Sequence, residues 1–114
     1  MDPFPMPRPG PEHEFLKRSA GTWDALSKMF LEPGAPPAES KGSETNRLAM
    51  NGLWIIGDYE SEMMGCPFRG HGVYGYDQNR KKYVGVWVDS MITTPLISEG
   101  TLDRSGNVLT MAGE

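Results

Sequence analysis

From Gly21 onward the chain alternates stretches of period-two hydrophobic and polar pattern with clusters of turn residues. Seven stretches read as strands: Thr22–Leu31, Glu39–Leu48, Leu53–Met63, Phe68–Tyr76, Lys82–Met91, Thr94–Leu102 and Val108–Met111. Between them stand Pro33-Gly34-Ala35-Pro36-Pro37, Asn51-Gly52, Gly65-Cys66-Pro67, Asp77-Gln78-Asn79-Arg80 and Asp103-Arg104-Ser105-Gly106-Asn107. Short strands with regular turns predict an all-β fold, an antiparallel meander curling toward a barrel. Glycines inside the strands, such as Gly42, Gly70 and Gly85, favour a coiled sheet over a flat one. A side-chain-filled barrel closes with about eight strands, so seven predict an incomplete barrel. Asn51-Gly52 predicts a two-residue hairpin, since both residue types tolerate positive φ.

Upstream, residues 1–11 carry five prolines and predict a flexible, extended tail, apart from a single domain over 12–114. Glu12–Ser19 predicts two helical turns, acidic at the start and basic at the end, as the helix dipole favours. Phe15 and Leu16 give this helix an apolar patch that must dock, and the open end of the barrel is the expected place.

The strand faces bear on a cavity. Glu39-Ser-Lys-Gly-Ser-Glu-Thr-Asn-Arg47 holds no apolar residue on either face, although a strand on a dry core shows one apolar face. Such a strand in mid-meander predicts a hydrated, polar-lined lumen. In the third strand, Leu53, Ile55, Gly57, Tyr59 and Ser61 read as inside; Asp58, Glu60 and Glu62 read as a solvated exterior. The fifth separates Val84, Val86, Val88 and Ser90 from Tyr83, Gly85, Trp87, Asp89 and Met91, without saying which set points inward. Either Trp87 fills core and Asp89 caps the turn toward Ser90, or the two belong to a site. A carboxylate sharing a buried face with Trp87 needs a partner, and Arg47 or His71 could supply it.

A chain of 114 residues with net charge −4 makes one domain and argues against nucleic acid, which wants a basic face. Arg80-Lys81-Lys82 reads as a solvated hairpin tip. The single cysteine, Cys66, excludes an internal disulfide and suggests a reducing compartment. With no secretory signal and no run of about 20 apolar residues, no membrane association is expected and the cytoplasm is the expected compartment.

Ala20-Gly21-Thr22-Trp23, after a short helix and opening the first strand, resembles the Gly-x-Trp signature of the calycins, the group of lipocalins and fatty-acid-binding proteins. That resemblance implies that Trp23 packs across the closed end of a barrel. A more specific resemblance spans residues 12–114. Glu12-His13-Glu14-Phe15-Leu16, Glu32-Pro33-Gly34-Ala35-Pro36-Pro37, Ser40-Lys41-Gly42-Ser43-Glu44, Gly52-Leu53-Trp54, Gly75-Tyr76-Asp77 and Trp87-Val88-Asp89-Ser90-Met91 carry it. In that order they resemble a bacterial family known only as a domain of unknown function, calycin-like, with about ten strands. The resemblance brings no activity, cofactor or catalytic residue. It implies further strands past Gly113-Glu114, so open sheet edges predict a homo-oligomer.

Three functions compete. The first is a small-molecule-binding barrel whose partly polar cavity is lined by Trp87, Asp89, Tyr59, Glu44, Arg47 and His71. A fatty-acid carrier fits less well, because much polarity surrounds a single arginine. The second is an enzyme using Asp89, Glu44 or His71 as general acid or base, the less expected reading in a chain with two histidines and no nucleophile motif. No spacing supports a metal site of His13, His71 and Asp89 or haem on His71, so no metal or cofactor is expected. The third is an assembly module built on sheet edges and on Met63, Met64 and Met91.

Overall fold

Alternation with glycine or a tight turn at each reversal lets every strand pair with its neighbour in the chain. The computed structural model describes residues 6–30, 32–63 and 65–113. Its elements are α1 (His13–Arg18), β1 (Gly21–Met29), β2 (Ala38–Ala49), β3 (Trp54–Met63), β4 (Cys66–Asp77), β5 (Lys82–Asp89), β6 (Leu96–Leu102) and β7 (Leu109–Gly113). The seven strands form one antiparallel sheet in chain order, curled into an incomplete half-barrel. The expected fold class is therefore the observed one. Among the described residues, β1 and β7 each have an unpaired outer edge.

The boundaries differ locally, for physical reasons. Cys66 and Pro67, expected in a turn, open β4 opposite Met63 and Glu62. Pro67 is tolerated because β5 pairs only Gly70–Asp77, so no ladder bond is needed on that side of residue 67. The Asn51-Gly52 hairpin is wider than two residues. Residues 50–53 lie between the paired Ala49 and Trp54, and Met50 shares the positive φ of Asn51 and Gly52. β5 ends at Asp89, whose Oδ1 accepts the Met91 backbone N–H at 2.8 Å and turns the chain away. Residues 1–5, Leu31 and Met64, named above in the tail, the first strand and the methionine surface, lie outside the described residues.

The side-chain period settles which faces point inward. Ile55, Gly57, Tyr59 and Met63 are buried on the concave side, and Asp58, Glu60 and Glu62 are exposed on the convex side, as expected. Across the register, Tyr83, Gly85, Trp87 and Asp89 join the concave face; Val86 and Val88 are exposed on the other. Glycine makes this packing feasible at two points. A Cβ on Gly70 would overlap the Trp87 indole, and one on Gly42 would meet the Tyr59 hydroxyl at 2.8 Å.

The core has two parts. At one end Leu16, 2% exposed, packs with Ile55 and Tyr83, surrounded by Phe15, Tyr74, Leu102 and Met111. Helix α1 thus docks on the sheet through its apolar patch, at the end where Trp23 also lies. Its flanking residues are tied in as well: the Tyr83 hydroxyl donates to the Glu12 carbonyl at 2.6 Å, and Arg18 donates to the Gly106 carbonyl at 3.0 Å. The Ser19 carbonyl accepts from Trp23 Nε1 at 2.9 Å and from Asn46 Nδ2 at 3.0 Å. Trp23 lies at this end and is about half exposed (49%). His13 is buried against Tyr76, and its Nδ1 accepts the Gly10 N–H at 2.9 Å. The second part, Tyr59, Met63 and Phe68 with Ala25 and Trp87, stands at the other end and leaves a hollow.

Candidate functional site

The hollow follows from what the concave strands carry there. β2 contributes Ser40, Gly42 and Glu44 on its inner face, too small or too polar to fill a core. Aromatic residues from β3, β4 and β5 therefore stand as walls around an open volume of about 500 Å³. Ala25, Ser27, Met29, Glu44, Tyr59, Met63, Phe68, Trp87, Asp89 and Leu96 line it, with Leu26 and Lys28 at its β1 rim.

One end is a hydroxyl cluster. Ser27 and Ser40 face each other across β1 and β2, and the Tyr59 ring leans over Gly42 to bring its hydroxyl within 2.8 Å of Ser27 Oγ. Ser40 is 8% exposed, and the hydroxyls of Ser40 and Ser61 are buried with no hydrogen-bond partner among the described residues. Burial opposes ionisation of the Tyr59 phenol, but the hydroxyls of Ser27, Ser61 and Ser40 outweigh it and hold the phenol below its ordinary value, against the Glu44 charge. Of the three, only Ser27 sits in bonding geometry; the lowering is a modest effect of a polar surround.

Glu44 stands beside this cluster, between Trp23 on β1 and Tyr59 on β3. It is half-buried, and loss of water pushes its carboxyl above the usual carboxylate value. Burial likewise raises the Tyr74 phenol, and the Glu44 charge adds to that. Among the described residues no hydrogen bond or ion pair reaches Glu44.

Asp89 differs. Its Oδ2 accepts the Trp87 indole N–H at 2.8 Å and its Oδ1 accepts the Met91 N–H. The partner for this carboxylate is therefore the neighbouring indole and the turn, and neither Arg47 nor His71. Arg47 lies three residues from Glu44 on an unbroken strand, hence on the opposite, exposed face. His71 is likewise convex, with Nδ1 at 2.7 Å from Asp58 Oδ1 in an exposed pair. Of the six candidate residues, Trp87, Asp89, Tyr59 and Glu44 converge on one hollow; Arg47 and His71 do not. Ser27, Ser40, Ser61, Met63 and Phe68 are not among the candidate site residues read from the sequence, although Ser61 reads as inward-facing and Met63 as part of an assembly surface. Their signal was only their parity with Tyr59 across the register.

A hollow of similar size, about 560 Å³, lies on the convex side over Val84, Ile97 and Glu99. Its carboxylate is already satisfied: the Lys82 bond, then the one from Arg80, holds Glu99 below its usual value against some desolvation. The concave hollow is the one with polar groups left open. Among the described residues no group of three or more His, Cys, Asp or Glu side chains converges as metal ligands would.

Fold and hollow together define an antiparallel half-barrel with an aromatic and hydroxyl-lined concavity, plugged at one end by a helix. The chain belongs to the family described as a protein of unknown function, DUF1579, whose model matches residues 8–114. Neither a curated protein nor a solved structure gives a significant match to it.

Proposed function

We propose that this protein binds a small molecule in the concave hollow. The observation that carries the reading is an open volume of about 500 Å³ walled by Tyr59, Phe68 and Trp87, with Ser27 and the unpaired Glu44 on its lining. Next to it two buried hydroxyls, Ser40 and Ser61, have no partner among the described residues. Buried polar groups are almost always paired, by protein, water or ligand, and aromatic walls with a few convergent polar groups are what small-ligand sites have in common. The likeness to calycin barrels supports the same reading.

Native mass spectrometry and thermal shift against a small-molecule library test it. A 1:1 saturable ligand that raises Tm is expected, and Ala25→Phe, which fills the hollow from β1, should abolish its binding while the sheet stays folded. Binding that survives Ala25→Phe, or no saturable ligand at all, would sink the reading.

Catalysis is a second reading, favoured by one observation: Glu44 is an unpaired carboxyl whose proton affinity burial has raised, which suits an acid or base. Asp89, with both oxygens engaged, suits it less. Turnover lost in Glu44→Gln with ligand binding kept would bring this reading forward. The unpaired outer edges of β1 and β7 support self-association, for which the same mass spectra would give a discrete oligomer.

A further inference from the structure

The concave face is one-sided in charge. Its strand positions carry two carboxylates, Glu44 and Asp89, and no lysine, arginine or histidine among the described residues. The basic residues of the strands (Lys28, Lys41, Arg47, Arg69, His71 and Lys82) all fall on the opposite parity of the register. Asp89 is hydrogen-bonded at both oxygens by donors of its own strand and turn. Glu44 is not: it stands among Trp23, Tyr59 and Tyr74 with no donor to meet it. An unpaired carboxylate on a face that burial has partly dried is costly, and a bound cation relieves that cost. Aromatic faces beside it attract the same kind of ligand through their quadrupoles. Ser40, more than nine-tenths buried and with no hydrogen-bond partner among the described residues, lies on the same face opposite Ser27, which lines the hollow.

We infer that the ligand of this hollow is an amphipathic organic cation, an amine or ammonium whose charged group meets Glu44 and whose apolar part lies along Trp87, Phe68 and Met63. The inference rests on the proposal that the hollow binds a small molecule, and adds the charge of what it binds. An anion such as a fatty acid would meet two carboxylates on the concave face, and the one cation at its rim, Lys28, is already paired with Glu39. A neutral ligand would leave Glu44 unpaired.

Three probes of one shape separate these cases: 4-phenylbutylammonium, 4-phenylbutanol and 4-phenylbutanoate, titrated at neutral pH into the 15N-labelled protein. The readout is the indole N–H signals of Trp23 and Trp87, with Trp54 on the convex side as internal control. The expected order is ammonium first, at least tenfold tighter than the alcohol, and the carboxylate weakest. Glu44→Gln should erase the tenfold advantage and leave the alcohol unchanged. If the alcohol or the carboxylate binds the unaltered protein as tightly as the ammonium, the cation assignment is wrong and the hollow remains a binding site. If none of the three shifts Trp23 or Trp87 at millimolar concentration, both readings fall. The comparison among probes uses the unaltered chain, so it decides the matter even if Glu44→Gln does not fold.

Discussion

Trp87 and Asp89 hold each other in place, and their substitution costs can be stated. The indole lies over Gly70, donates to Asp89 Oδ2, and packs with Tyr59 at a ring separation of 6.4 Å. Asp89→Ala removes the acceptor for two N–H groups, one of them part-buried, and should cost about 1–3 kcal/mol in urea unfolding. Gly70→Ala pushes a methyl group into the indole and should cost about 1–3 kcal/mol, with a shift in tryptophan emission as the ring moves. An emission spectrum and midpoint equal to those of the parent would refute the packing described for Gly70. Glu44 makes a prediction of opposite sign. Its folded-state carboxyl takes up a proton more readily than in the unfolded chain, so the charged form is penalised in the folded state above that raised value. The penalty is fully present at neutral pH and fades as pH falls through the raised folded value toward the ordinary one. Glu44→Gln should therefore stabilise the ligand-free protein at pH 7, by an amount that shrinks in acid. The phenols on the concave face, Tyr59, Tyr74, Tyr76 and Tyr83, titrate far above that range and do not reproduce the profile. A stability gain that is flat or grows on acidification would contradict the placement of Glu44.

Among the elements, α1 is short enough that only docking keeps it helical. Leu16 supplies the docking, so Leu16→Ala should cost about 2–5 kcal/mol and strip helical signal from the circular dichroism spectrum. Tyr83→Phe keeps the ring and loses the bond to the Glu12 carbonyl; about 1 kcal/mol is expected. Much of this was legible in the sequence. The seven strands, their order and the helix all follow from period and punctuation, because each is a local pattern reinforced by its neighbours. The inward set of β3 was legible too, since Ile55 and Tyr59 share a parity that Asp58 and Glu60 do not. The turn cap by Asp89 was legible as one of two readings. Its bond to the Trp87 indole, two residues away on the same strand, was not, because a buried carboxylate points to a charged partner across the sheet. The cluster of Ser27, Ser40 and Tyr59 was not legible either. Which residues meet across two strands depends on register, and register depends on loop lengths that shift by a residue or two, as at Met50 and Cys66. Arg47 could have been excluded from the lumen by parity alone, being an odd number of positions from Glu44. His71 could not, because its face depended on where β4 begins.

For the molecule as a whole, the asymmetry between its two ends matters most. The α1 end is a packed aromatic and aliphatic core, and the other keeps its hollow. Stability and recognition are thus largely separated in space, with Tyr74, packed against the α1 core and acted on by the Glu44 charge, as the side chain common to both. Substitutions at the two ends should be close to additive. A double substitution pairing Leu16→Ala with Glu44→Gln should change stability by the sum of the single effects within about 0.5 kcal/mol. A larger deviation in urea unfolding would mean that the helix end and the hollow communicate. No helix of the described residues is long and apolar enough to cross a membrane. The exposed valines and Ile97 on the convex side add an apolar patch.

One consequence reaches back to synthesis. Because spatial order and chain order coincide from β1 to β7, each new strand finds its template already laid down by the segment just before it. A nascent chain leaving the ribosome can zip hairpin onto hairpin with short loops to close at every step, which keeps the search local and fast. The helix emerges before any strand and must wait for Ile55 and Tyr83 to arrive. The plug is thus made first and seated late, so the growing sheet stays accessible at that end until β5 has emerged.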